Sequence, residues 1–288
     1  MSMDMIKPTG IPAKVRDAVV ENGTIALWYI GGAGYFIRAG ETTIIVDPFL
    51  GPSSPPDWMR GVPPGFAPEE IPDIGQLDAY LMTHEHLDHA DPVALQIFKA
   101  HPDVVLFGPA SAIAVAREIG IDEPRLQTVN HGDKIRIGDL DVTAVAVNDP
   151  TAIGCNGYVL QHEGTTVLLC GDSHYFDGFA ELGDLWALDA VGVTVGVNPP
   201  GQSIYMGESD AGRIARPAGD LVHVGVGGVQ QGALGRPGHD GQGVGHGLGR
   251  QGGAFQRVQG DVDLGAGPAT DLLADVEHGG FVALALAD

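Results

Sequence analysis

The sequence predicts a mixed α/β fold in which two β-sheets pack face to face and helices cover their outer faces. Short apolar runs typical of strands alternate with segments whose apolar residues have helical spacing. One of these runs, residues 77–82, precedes a loop of nine residues that contains three histidines and three acids. The loop ends in Asp91-Pro92, a pair typical of a helix N-cap and first helical residue. At 288 residues, the chain can bury a full core as one large or two small domains.

The predicted elements extend from residue 23 to residue 216, which we predict to be the main domain. Residues 1–22 are expected to be a loose lead-in, because Pro8 and Pro12 oppose regular structure. Three further histidines fall in apparent turns and are predicted to lie at the surface: His101, His131 and His162. Strands are predicted at 24–30, 35–38, 42–46, 77–82, 104–107, 135–137, 142–147, 158–161, 165–170 and 190–195. Helices are predicted at 91–100, 109–119 and 209–216.

The histidine loop, residues 83–91, has the side chains of a metal site in the pattern His-x-His-x-Asp-His. Imidazole nitrogens and carboxylate oxygens are ligands that zinc, manganese and iron accept. His84 and His86 can reach one ion if the loop is extended, and Asp88 and His89 can then turn toward a second. Two ions about 3.5–4 Å apart can share a hydroxide and stabilise both oxygens of a displacement. The alternative is a solvated polar loop with accidental histidines.

The chain resembles the metallo-β-lactamase superfamily, whose signature is this His-x-His-x-Asp-His loop after a strand. It is more closely similar to the branch that contains L-ascorbate-6-phosphate lactonase. The resemblance extends from Gly23 to Arg216, and besides the loop it rests on residues 26–31, 46–47, 171–175 and 198–201. It implies an αββα four-layer sandwich with a metal-dependent hydrolase site.

The resemblance also implies roles for three residues outside the loop. Asp172, which follows Gly171 at a strand end, corresponds to the carboxylate that bridges both metals; the alternative is a turn aspartate. Asp47 would support the histidine loop through hydrogen bonds, or would only end a strand. His174 would contact substrate, or would bond within the turn that follows it.

The third ligand of the first metal is a departure from the family pattern. The fold usually supplies a further ligand, often histidine, where this chain has Asn148 and Asp149. Asp149 is a candidate ligand for a hard metal such as manganese. The alternative, which is slightly favoured, is an Asx-type turn before Pro150.

The long loop at residues 51–72 is rich in proline and glycine, and we expect it to form a flap over the cleft. Trp58 and Arg60 within it are candidate substrate contacts, although Trp58 is at least as well explained as an anchor packed on the body. A phosphate on the substrate is implied only by the resemblance. Arg60 and Arg38 are the candidates to bind it.

Charge and composition restrict the class of partner. The formal net charge is −22, from 37 acids and 15 bases, which argues against nucleic-acid binding and favours a small-molecule substrate. Cys155 and Cys170 are expected to be free thiols, although one disulfide between them is the alternative. The first residues lack the apolar core of a signal peptide, and no apolar run has the length of a membrane span. The expectation is a cytoplasmic protein without membrane contact.

Residues 217–288 form a glycine-rich, atypical tail. The family should have a strand ending in Pro-x-His here, whose histidine completes the second metal site, and that pattern is absent. His223 is the only histidine near the expected place. Three explanations are a divergent tail, a flexible low-complexity tail and a reading-frame error in the gene. The abrupt end of the family likeness favours the last. We expect the tail to pack poorly and to leave the core without its closing strand.

These observations predict a metal-dependent hydrolase that holds one or two divalent ions, zinc or manganese. A metal-bound hydroxide would open a lactone, and the resemblance suggests a sugar-phosphate lactone as the substrate. Asp88 would bind metal and take or orient a proton during the reaction. The alternative is a metal-binding protein of the same fold without turnover, because its last ligand is missing.

Overall fold

The computed structural model describes residues 9–51, 65–195, 205–207, 210 and 213–214, and the backbone of 221–223 and 281–286. The helices bounded within these residues are α1 (Ile11–Asp17), α2 (Pro92–Phe98), α3 (Ala110–Ile119) and α4 (Gly178–Leu185). Two 3-10 helices lie at Pro68–Ile74 and Glu123–Arg125. None of the helices in this part of the chain has both the length and the apolar character needed to cross a membrane.

The first sheet has six strands and combines an antiparallel meander with a parallel half. Its strands are β1 (Ala26–Tyr29), β2 (Tyr35–Ala39), β3 (Thr42–Val46), β4 (Ala79–Leu81), β5 (Val105–Gly108) and β6 (Leu126–Thr128). They lie in chain order, with antiparallel pairs from β1 to β3 and parallel pairs from β3 to β6. This arrangement places the carboxyl ends of β3 and β4 side by side at one edge.

The second sheet is mainly antiparallel. Its strands are β7 (Lys134–Ile137), β8 (Leu140–Ala146), β9 (Asn156–His162), β10 (Thr165–Leu169), β11 (Ala190–Val195), β12 (Leu221–His223) and β13 (Phe281–Leu286). Across the sheet their order is β12-β13-β11-β10-β9-β8-β7. The pair of β10 with β11 is parallel.

Three hydrophobic cores separate four layers, as the sequence predicts. Because successive strand residues point to opposite faces, Ile44 and Val46 of β3 enter the core between the sheets, whereas Ile45 faces the helices. One outer core joins the first sheet to α1, α2 and α3, and the other joins the second sheet to α4. All five residues of β3 are buried, which fits a strand covered on both faces. The αββα sandwich is therefore confirmed.

The N-terminal region differs from the predicted loose lead-in, because it contains α1. Pro12 lies in the first turn of this helix, where a missing backbone N–H costs no hydrogen bond, so it does not oppose the helix. The buried carboxylate of Glu70 holds the entry to α1, since it accepts hydrogen bonds from the backbone N–H groups of Thr9 (2.9 Å) and Gly10 (2.5 Å).

The end of the predicted flap at 51–72 also differs from expectation. The 3-10 helix Pro68–Ile74 buries Ile71, and Phe66 packs on Phe36 with their ring centroids 5.4 Å apart. These apolar side chains join the outer core of the first sheet, so this end of the segment belongs to the body of the protein. Residues 52–64 lie outside the described part of the chain.

Three further predictions can be compared with the structure: the exposure of His162, the set of elements and the state of the cysteines. His162 is buried at the end of β9, with its Nδ1 3.1 Å from the carbonyl oxygen of Asp139, so its surface prediction is wrong. Strand β6 and helix α4 were not predicted. Cys155 and Cys170 are free, as expected.

The prediction that the core lacks a closing strand is wrong, because two short stretches of the tail add strands to the second sheet. β13 pairs antiparallel with all of β11, and β12 pairs with β13. Residues 281–286 are a continuous apolar run of strand length, and the edge of β11 supplies its partner. The division into residues 1–22, 23–216 and 217–288 stays a prediction.

Candidate metal centre

Three loops from both sheets meet at the carboxyl end of β4. The histidine loop follows β4, the loop at 147–155 connects β8 to β9, and Asp172 follows β10. Gly171 permits the segment of Asp172 to approach the histidine loop closely, because it has φ +58° and a Cβ there would lie 2.8 Å from the Thr83 side chain. The backbone N–H of Asn156 donates to the carbonyl oxygen of Thr83 at 2.8 Å, which fixes the C-terminal end of the 147–155 loop to the histidine loop.

The first candidate metal group consists of His84, His86 and Asp149. Oδ2 of Asp149 lies 3.3 Å from Nδ1 of His86 and 3.5 Å from Nε2 of His84. Oδ1 of the same carboxylate accepts from the backbone N–H and the hydroxyl of Thr151, at 2.8 and 2.7 Å. Asp149 thus forms the predicted Asx-type turn with one oxygen and turns the other toward the two imidazoles.

The second candidate group consists of His84, His89 and Asp172. Nε2 of His89 lies 3.3 Å from Oδ2 of Asp172. In each group the candidate ligand atoms all lie within 4.8 Å of one another, and His84 belongs to both groups. Asp88 belongs to neither; its carboxylate lies 3.9 Å from Nε2 of His89, at the side of the second group.

Asp47 supports the histidine loop from below. Its fully buried carboxylate accepts from the backbone N–H of Thr83 (2.8 Å), the hydroxyl of Thr83 (2.5 Å) and Nδ1–H of His89 (2.8 Å). Because that hydroxyl proton goes to Asp47, the Thr83 oxygen accepts from Nδ1–H of His84 at 3.0 Å. When neutral, each of these two histidines therefore carries its proton on Nδ1 and leaves Nε2 unprotonated, the form that binds a metal ion.

The electrostatics of the two groups differ. Burial, together with His89 and His86, lowers the pKa of His84 well below its usual value. The pKa of His89 is raised well above its usual value. Burial acts in the opposite direction, but the negative charges of Asp172, Asp88 and Asp47 together outweigh it. Burial raises the pKa of Asp88 despite the opposing effect of His89. A proton therefore competes with a cation mainly at His89.

We expect metal retention to fall as pH is lowered, and the second group to lose its ion first. The raised pKa of His89 stabilises the metal-free fold at acidic pH, and this contribution is lost as pH rises through that raised pKa. Metal affinity should increase over the same window, because a ligating imidazole must be neutral. Equilibrium dialysis with metal analysis, from about pH 9 to about pH 5, would measure this. Unchanged retention well below the histidine range would contradict histidine ligation.

The remaining predicted site residues lie outside the two candidate groups or outside the described part of the chain. Nε2 of His174 lies 2.8 Å from Nδ2 of Asn148, and its backbone N–H donates to Asn148 O, so it holds the base of the 147–155 loop. Nη1 of Arg38 donates to three backbone carbonyls around the end of α1, so this phosphate candidate is engaged there. Its role toward a phosphate stays a prediction. Trp58, Arg60 and the side chain of His223 lie outside what the structure describes.

Sequence reasoning missed two residues close to this centre. Burial and the charges of Asp172, Asp88 and Asp149 raise the pKa of Tyr205, which places its phenol near both groups. Glu85 accepts a hydrogen bond from the backbone N–H of Ile153 at 2.5 Å and so joins two of the loops. The only sequence signal for Glu85 is its place between two candidate ligands.

Comparison with known proteins identifies the class. The family profile described as "Beta-lactamase superfamily domain" matches residues 42–223, a range that includes both candidate groups. The chain therefore belongs to the metallo-β-lactamase superfamily, a class of metal-dependent hydrolases, and the resemblance found in the sequence is confirmed.

The relatives within that class support the same branch. "Probable L-ascorbate-6-phosphate lactonase UlaG" of Escherichia fergusonii is 26% identical over 243 residues, which cover 70% of this chain and 69% of that protein. Two solved structures share the fold. One is described as a possible metal-dependent hydrolase from Veillonella parvula, with TM-score 0.56 and 18% identity over 68% of this chain and 81% of that one. The other is an isothiocyanate hydrolase from Delia radicum gut bacteria, with TM-score 0.53 and 20% identity over 67% and 80%.

Proposed function

We propose that this protein is a metal-dependent hydrolase that opens a lactone, and that its substrate is a small molecule. The observation that supports this most directly is the pair of side-chain groups that share His84. Oδ2 of Asp149 is buried and has no hydrogen-bond donor in the described part of the chain, although two imidazole nitrogens lie close to it. A buried carboxylate oxygen in this position is costly unless a cation satisfies it, so the residues fit a metal ion.

In this proposal each residue has a defined task. His84, His86 and Asp149 would hold one ion, and His89 and Asp172 would hold a second, with Asp88 beside it. A divalent metal supplies a Lewis acid that lowers the pKa of water and polarises a carbonyl. Asp88, which is 22% exposed, can take or orient a proton of the attacking water. The carboxylate of Asp149, in place of a histidine, favours a harder ion such as manganese over zinc.

The lactone is proposed because relatives at 26% identity are named as lactonases. A phosphate on that lactone fits the surroundings of the site less well than an uncharged group. Glu85, Asp88, Asp149 and Asp172 make the surroundings acidic, and Arg38 is engaged at the end of α1. An uncharged lactone meets less repulsion there than a phosphorylated one.

The second candidate function is metal binding without turnover. It is favoured by one observation, which is that the chain lacks the Pro-x-His pattern expected to complete the second site.

The experiment that separates the two functions combines metal analysis with a substrate panel. The purified protein would be loaded with manganese or zinc, its metal content measured, and hydrolysis followed for neutral and phosphorylated lactones. A chelator-treated sample serves as the control. Chelator-sensitive opening of a lactone is the expected result. Two bound ions without hydrolysis of any lactone would favour the binding protein, and faster opening of the phosphorylated lactones would restore the sugar-phosphate assignment.

A further inference from the structure

The loop at 147–155 places Asp149 in the candidate metal centre, but packing does not hold its tip. Ile153 is 87% exposed and Thr151 is also exposed, so neither side chain gains much from burial. The base of the loop is fixed, since the N–H of Asn148 donates to Oγ of Ser173 at 2.9 Å. The tip must therefore be held by polar contacts to another part of the chain.

Glu85 provides such a contact. Its Oε1 accepts from the backbone N–H of Ile153 at 2.5 Å, across 68 residues of sequence. Ser111, at the start of α3, adds weaker support, with its Oγ 3.4 Å from the carbonyl oxygen of Gly154. Glu85 is the member of this set that lies in the histidine loop, directly between His84 and His86.

Glu85 is not itself a member of either candidate metal group. Its contact instead connects the backbone that presents His84 and His86 to the backbone that presents Asp149. Only three residues separate Asp149 from Ile153, so movement of the tip is transmitted to the carboxylate.

We propose that Glu85 is a positioning residue, which holds Asp149 against His84 and His86 by fastening the 147–155 loop to the histidine loop. The inference rests on the proposed function, because it assigns the first group to a metal ion. It extends that function by adding a residue that binds no metal yet sets the affinity of the first group. Partners that orient metal ligands typically contribute about 10–100-fold to affinity or activity.

The test uses three substitutions at Glu85 and one control. Glu85→Ala removes the acceptor, whereas Glu85→Gln keeps an oxygen of the same reach and removes only the charge. Glu85→Asp keeps the charge on a side chain one methylene shorter. Glu118→Ala removes an exposed acid near the far end of α3 and controls for net charge. Competition with a chelator measures manganese affinity in each, and hydrogen exchange of the Ile153 amide is measured in the metal-free protein.

The expected result is a loss of about tenfold or more in the affinity of the first group for its manganese ion in Glu85→Ala and Glu85→Asp. Glu85→Gln and Glu118→Ala should keep an affinity close to that of the wild type. The Ile153 amide should exchange faster only in Glu85→Ala and Glu85→Asp. Equal weakening in Glu85→Gln would overturn the proposal, because charge would then matter and the hydrogen bond would not. Unchanged affinity in both Glu85→Ala and Glu85→Asp would overturn it as well. Either outcome leaves the hydrolase proposal standing, whereas a wild-type protein that retains no metal would overturn both.

Discussion

Replacement of His84 by alanine is expected to abolish binding of the ion in the first group and, with it, most of the hydrolysis. His84 belongs to both candidate groups, but its one unprotonated nitrogen, Nε2, can bind a single ion. Its loss leaves the first group with only His86 and Asp149. Hydrolysis should fall by at least about 10³-fold, because the metals contribute several kcal/mol and each 1.36 kcal/mol corresponds to a factor of ten. Metal analysis after gel filtration, together with the lactone assay, would measure both effects.

Two matched variants make this result interpretable. His86→Ala should weaken only the first group, since His86 is absent from the second. His101→Ala removes a partly buried imidazole that packs on Phe98 in the helical layer and should leave metal content unchanged. Two tightly bound ions in His84→Ala would contradict the assignment of the first group.

Replacement of Asp47 by alanine is expected to destabilise the fold and the metal centre together. The substitution leaves the backbone N–H and hydroxyl of Thr83 and the Nδ1–H of His89 without their acceptor in a fully buried site. Removing one partner of such a buried network costs about 3–5 kcal/mol. Metal affinity should also fall by about 10–100-fold, because His89 loses the contact that orients its ring.

Urea unfolding of the metal-free protein and chelator competition would measure the two effects of Asp47→Ala. Asp78→Ala is the matched control, because Asp78 also accepts from a backbone N–H, that of Thr43 at 2.8 Å, but makes no hydrogen bond or ion pair with a histidine among the described residues. That control should lose only about 1 kcal/mol and no metal affinity. A loss in Asp47→Ala no greater than in Asp78→Ala would contradict the role given to Asp47.

Much of the fold could be predicted because local sequence and tertiary packing agree. The apolar run before the histidine loop forms β4, and Asp91 caps α2 by accepting from the N–H of Val93. Helix α3 ends where predicted because Gly120 takes the left-handed conformation that stops a helix. The geometry of His84, His86, His89 and Asp172 was also anticipated, since their motif segments lie at strand ends. Their role as ligands stays a prediction.

The unpredicted features depend on partners distant in sequence. Nothing near Arg38 in sequence shows that its guanidinium meets the end of α1, and nothing near His162 shows that packing covers its ring. The sequence could not decide between a turn role and a ligand role for Asp149, because the two oxygens of its carboxylate have different partners. One accepts a hydrogen bond in a local turn, and the other faces the imidazoles in the cleft. The role of Glu85 depends on a contact across 68 residues, which no local pattern indicates.

The two candidate groups take their ligands from both halves of the sandwich. The histidines follow β4 of the first sheet, whereas Asp149 and Asp172 follow β8 and β10 of the second. A bound ion would therefore cross-link the two sheets at one edge, much as a disulfide joins two segments of a chain. Any opening that separates the sheets at this edge must release the ion first, so metal concentration would tune how often the sandwich opens. The same ions that serve chemistry would then protect the protein from proteolysis and from aggregation through its sheet edges.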